Sequence, residues 1–230
     1  MQVPGKNSEF EAPYSICTPA IKPLLYYSMS SSPSILALRR KSFLCLALLP
    51  LLAACSSNNG GTDAVADANS QNEQKISADD VTAKQEADAE FLVATAGNAL
   101  LAVELGKLAQ ARAGTPALRT YGAALVQQRL EMLAALRTLA SAKSLAVPPA
   151  LGGDQQAAYH EASTKSGSQL DKHTMALLVK ALKQDEDALD DMKDDAYDGD
   201  IRGFAAKYLH PVEEQLESAQ KIAETVEELP

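Results

Sequence analysis

The stretch ALVQQRLEML, residues 124–133, has apolar side chains at helical spacing and a permanent charge in a slot that should face a core. Leu125 and Met132 share one stripe, and Arg129 stands four residues after the first and three before the second. Followed outward, the stripe takes in Leu118, Tyr121, Leu136 and Leu139, at steps of three, four and seven. One long helix is therefore expected. It restarts at Thr115-Pro116, with threonine as N-cap and proline at the first helical position. It is ended by Pro148-Pro149, which cannot continue the ladder of backbone hydrogen bonds.

Before it, a helix is expected from about Asp79 to Ala113, stopped at Gly114 by that residue's tolerance of positive φ. After it, LGGDQQAAYHEASTKSG (residues 151–167) reads as a short helix capped by Asp154 and broken at Gly167. A third long helix starts near Ser168 and stops at Gly199. A fourth, capped by Asp200, carries Ile201, Phe204, Tyr208, Val212, Gln215, Ala219, Ile222 and Val226 on one face. Pro211 should kink it or split off its first turns. Short connections favour antiparallel neighbours, so residues 78–230 are expected to form an all-α antiparallel four-helix bundle with one short accessory helix. Roughly 150 residues suffice for a single core.

The N-terminal side reads differently. In RRKSFLCLALLPLLAAC, residues 39–55, a basic cluster precedes an apolar run from Phe43 to Ala54. A bilayer crossing needs ~20 apolar residues, so the run fits a signal peptide and not a span. Leu52-Ala53-Ala54-Cys55 resembles a bacterial lipobox, which implies cleavage before Cys55 and lipidation of its sulfur. Residues 29–54 are then the signal peptide, and residues 1–28 an upstream gene-model extension with Met29 as the true start. Cys17 and Cys45 precede the cut, so the mature chain can form no internal disulfide. Ser56 after the lipidated cysteine resembles an outer-membrane address in Gram-negative bacteria, with the domain on the periplasmic side. Residues 55–77, polar and rich in Gly, Asn and Ser, read as the lipidated cysteine and a flexible linker with a coil span of ~26 Å.

Charge narrows the partners. The residues before Cys55 hold five of the 21 Lys and Arg but two of the 30 Asp and Glu, which leaves a formal net charge of −12 from Cys55 onward. Such a surface repels nucleic acid. The membrane is expected as partner only through the lipid, with a protein partner in the envelope. KQDEDALDDMKDDAYDGD, residues 183–200, is not an EF-hand: set on Gly199, the loop puts alanine at two ligand positions. It reads as a solvated acidic helix face, opposed to the macrodipole at its C-terminal end and so expected to fray there.

AEFLVATAGNALLAVELGKLAQARAGTPALRTYGAALV, residues 89–126, resembles a bacterial family of secreted or lipid-anchored helical bundles known as domain of unknown function 4142. The likeness rests on Phe91, on Glu104-Leu105-Gly106-Lys107-Leu108-Ala109 and on the restart at Pro116, with weaker matches in SGSQLDKHTMALLVKAL and FAAKYLHPVEEQLESA. It implies a ferritin-like bundle. Such families place histidines at three inward positions, matched here by Arg129, Leu182 and Gln215. A di-iron bundle also needs Glu-x-x-His on two helices. Here the residues three before His160, His173 and His210 are Ala157, Leu170 and Lys207.

No Cys/His pair, Gly-x-Ser-x-Gly elbow or glycine-rich phosphate loop occurs, so no catalytic residue, cofactor or metal is expected. Arg129 is expected either to donate to Glu104, with Gln128 or Gln215 completing a buried polar network, or to snorkel to water from the rim of the stripe. The alternatives are a reduced carboxylate metal site built on Glu104 and Asp171, a surface metal at His173, His210 and Asp171, and a small ligand carried in the core.

Overall fold

The computed structural model describes residues 63–76 and 83–230. The readings of residues 1–28, 29–54 and Cys55 lie outside the described residues. Six helices follow in order: α1 (Ala64–Ile76), α2 (Ala83–Arg112), α3 (Pro116–Ala142), α4 (Gly153–Thr164), α5 (Gly167–Asp195) and α6 (Gly199–Glu227). The described residues contain no strand. The domain is an all-α bundle.

Its four long helices form two hairpins, α2–α3 and α5–α6, which pack α2 on α5 and α3 on α6. The short α4 lies against α2 and α5, and α1 lies against α2. The helix α2 therefore has neighbours all round. This explains why its apolar residues do not form a one-sided stripe: Leu92, Ala96, Ala99, Leu105 and Ala109 are all fully buried. Two glycines let α3 approach it closely. A Cβ on Gly122 would come within 2.7 Å of the Gly106 carbonyl oxygen, and one on Gly106 within 3.0 Å of the Gly122 carbonyl.

Several local expectations are corrected. Residues 64–76 are not linker but α1. Gly114 does not use positive φ; among the described glycines only Gly167 does, at φ 57°. The helix α3 stops at Ala142, before the proline pair, and Ser144 takes the left-handed turn at φ 55°. The N-cap of α6 is Asp198, which accepts from the Asp200 and Ile201 amides at 2.8 and 3.3 Å. The same helix runs through Pro211 without a break. Pro211 and Lys207, whose carbonyl loses its i+4 donor, are exposed, while their neighbours Tyr208 and Val212 hold the helix in the core.

Both hairpin turns are clasped in the same way, each by the other hairpin. Asp171, at the start of α5, accepts from the Gly114 and Thr115 amides at 3.0 and 2.8 Å and from the Thr115 hydroxyl at 2.6 Å. Asp88, at the start of α2, accepts from the Tyr197 and Asp198 amides at 2.9 and 2.8 Å. Arg119 donates to the Ala113 and Gly114 carbonyls, and Arg202 to those of Ala196 and Tyr197. The turn residues and arginines of the second set stand 83 positions after their counterparts in the first, and Asp88 stands 83 positions before Asp171. The acidic end of α5, expected to fray, thus runs into a turn pinned by a buried carboxylate.

Candidate functional site

Arg129 is buried completely, so it does not snorkel. Its position on α3 follows from the stripe: Leu125 and Met132, one turn to either side, are in the core. A guanidinium cannot shed its proton, so the interior must supply an anion. That anion is Asp185 on α5. Arg129 Nη1 donates to Asp185 Oδ2 at 2.6 Å, and Asn98 Nδ2, on α2, donates to Asp185 Oδ1 at 2.9 Å. Met132 Sδ takes a second, weaker contact from Arg129 Nη1 at 3.5 Å.

Burial pushes the Asp185 carboxyl above its ordinary range, against the pull of Arg129 and Asn98. Burial also raises the Tyr121 phenol, against Arg129, and its hydroxyl donates to the Gln215 carbonyl at 3.0 Å. Arg129 Nε and Nη2, Gln215 Oε1 and Thr95 Oγ1 are buried without a hydrogen-bond partner in the protein. The centre of the bundle is thus polar, with one strong charge-assisted bond.

Glu104 is not part of it. It sits half-exposed on α2 and accepts from Lys107 at 2.7 Å, an ordinary i,i+3 surface pair. Gln128 faces outward, lining with Met132, Tyr208 and Gln215 a cleft of about 170 Å³ between α3 and α6. Of the expected network, Arg129 and Gln215 are buried, and the partner of Arg129 is Asp185 instead of Glu104. Leu182, one turn before Asp185, is buried as the match to the family's inward positions requires.

The carboxylates named for a reduced metal site are not brought together. Asp171 uses both oxygens on the α2–α3 turn, and Glu104 lies ten residues before that turn, about 15 Å along α2. Nor do the histidines meet: His210 is exposed and pairs with Glu213 and Glu214, while His173 lies 3.7 Å from Glu161. Among the described residues, no three His, Cys, Asp or Glu side chains converge as metal ligands would. In the central layer a cation would meet the fixed charge of Arg129, and both Asp185 oxygens are already engaged. The residues present do not fit a carboxylate-bridged metal pair.

Asp185 could have been found from sequence. Leu178, Leu182, Asp185 and Leu189 stand at steps of four, three and four, which puts Asp185 on the core stripe of α5 and separates it from the solvated carboxylates around it. The clasp residues Asp88 and Asp171 carry only the repeat at 83 positions as a signal.

Searches of curated proteins and of solved structures find no match. A family model does match, over residues 72–222, well over half of the chain and nearly all of the bundle. With Phe91, the Glu104–Ala109 segment and Pro116 in place around this all-helical core, the chain belongs to the family described as a domain of unknown function, DUF4142.

Proposed function

We propose that the chain is a lipid-anchored protein of the cell envelope, held through Cys55 at the periplasmic side of the outer membrane. Its bundle serves as a structural or binding module without catalysis. One observation carries the second half of this reading: the centre of the bundle is filled by a permanent cation, Arg129, already paired with Asp185, whose other oxygen is held by Asn98. A buried guanidinium raises the cost of any second cation there, and a paired carboxylate offers it no free oxygen. The lipobox, the basic cluster before it and Ser56 support the first half.

Metal analysis of the full chain, purified in detergent and exposed to iron(II), manganese(II) and zinc(II), tests the module. Less than about a tenth of an equivalent is expected after desalting. Stoichiometric metal would favour a metal-binding or redox protein instead. The anchor is tested separately: Cys55→Ser should abolish incorporation of labelled palmitate and release the chain from the membrane fraction.

A further inference from the structure

Residues 143–153, the connection from α3 and the first residue of α4, make three separate contacts with residues 63–76. Asp63 Oδ1 caps α1 through the Val65 amide at 2.9 Å, while Asp63 Oδ2 accepts from the Gly153 amide, at the start of α4, at 2.8 Å. Asn72, almost fully buried, uses both ends of its amide on one residue: it donates to the Ala146 carbonyl at 3.0 Å and accepts from the Ala146 amide at 2.7 Å. Lys75 Nζ donates to the Lys143 and Ser144 carbonyls at 3.2 and 2.6 Å, where Ser144 adopts its left-handed turn.

Gly152 shows what this connection is shaped for. Its φ of −74° and ψ of 173° suit any residue, so the backbone does not require glycine. Space does: a Cβ there would lie 2.6 Å from Asp63 Oδ1 and 2.7 Å from Val65 Cγ2, both belonging to the α1 segment. Apart from Asn72, only Ala68 of α1 is buried. A helix held by polar contacts at a few points, with little apolar burial, belongs to the low end of local stability.

We infer that residues 143–153 are a receptor for α1, and that residues 63–76 are a strap that opens and closes as a unit while the bundle stays folded. Closed, the strap lies against α2 beside a cleft of about 580 Å³ whose walls include Val65 and Ile76 of α1 and Ala89 and Val93 of α2. Open, it uncovers Ala89 and Val93. This deepens the tethered-module reading and rests on it only for the consequence: opening adds the thirteen residues of α1 to the leash between anchor and bundle.

Hydrogen exchange of the full chain in detergent micelles, read by mass spectrometry across a urea series, tests the strap without reference to lipid or metal. Amides of residues 64–76 should exchange at least 100-fold faster than those of α2, through an opening that urea barely accelerates. Gly152→Ala and Asn72→Leu should each speed exchange in that segment by tenfold or more and leave the amides of α2 and α3 unchanged. The strap is overturned if α1 and the bundle exchange in one event with the same urea dependence. It is equally overturned if Gly152→Ala, which suits the local backbone, leaves α1 exchange untouched.

Discussion

The two hairpins are alike at their turns and unlike at their centres. At the turns, Asp88 and Asp171, Arg119 and Arg202 occupy matched positions and make matched bonds. At the centre the correspondence fails: Arg129 of α3 is matched by Val212 of α6, and Asp185 of α5 by Ala102 of α2, all four buried. The paired glycines do not repeat either: Gly106 and Gly122 are matched by Leu189 and Ala205. What repeats is what holds a turn against its neighbour. What does not repeat is a single ionic cross-link between α3 and α5, one helix from each hairpin. Such a link costs desolvation and gives back register, so it specifies how the hairpins sit together more than it stabilises them.

The largest test removes the asymmetry. Arg129→Leu leaves Asp185 buried with Asn98 alone and should cost about 3–5 kcal/mol in urea denaturation. Arg129→Leu combined with Asp185→Leu makes the centre apolar, as the matched Val212 and Ala102 already are, and should be less destabilised than the single change. A single variant as stable as the wild type would show that the pair does not cross-link the hairpins.

The next test sets one clasp against the other. Asp171 takes three donors, whereas Asp88, buried nearly as deeply, takes two. Asp171→Ala should therefore cost about 3 kcal/mol and Asp88→Ala about 2, since each truncation strands buried amides. Equal losses, or the reverse order, would break the claim that the extra Thr115 hydroxyl bond matters. Close in size is Gly122→Ala, whose new Cβ would press on the Gly106 carbonyl. It should cost about 1–3 kcal/mol by overpacking, while Ala205→Gly at the matched place in the other hairpin should cost about 1 kcal/mol, from helix propensity.

These tests also mark which parts of the molecule could be read in advance. The long helices were legible because their stripes are long and their ends carry proline, glycine and aspartate. The anomaly at Arg129 was legible for the same reason, as a charge on a stripe. Its partner was obscured by company: Asp185 stands among Asp187, Asp190, Asp191, Asp194 and Asp195, and composition reads all of them as one solvated face. Asp88 and Asp171 were hidden for a different reason. Their bonds reach across 109 and 57 positions, and they exist only once the hairpins dock. The first helix misled because AVADANSQNEQKI is nearly as polar as a linker; Asn72 and Lys75 hold it by contacts that no periodicity records.

The smallest effect lies in the difference between the two caps. Where α3 begins with Thr115, α6 begins, 83 positions later, with Asp198. Burial works to raise the Asp198 carboxyl, but the Lys143 ammonium and the amides of Asp200 and Ile201 outweigh it and hold the group below the usual carboxylate range. A carboxylate whose pKa is depressed by folding contributes its full stabilisation above the unfolded value, near 4, and loses it as pH falls through the folded one. Protection of the Asp200 and Ile201 amides, corrected for intrinsic exchange, should therefore step down only below about pH 4. Asp198→Thr copies the cap of the other hairpin into this one. It should lower protection of the same amides slightly at neutral pH and remove the acid step. If the variant keeps that step, the proton responsible binds elsewhere, and the two caps are more alike than their residues suggest.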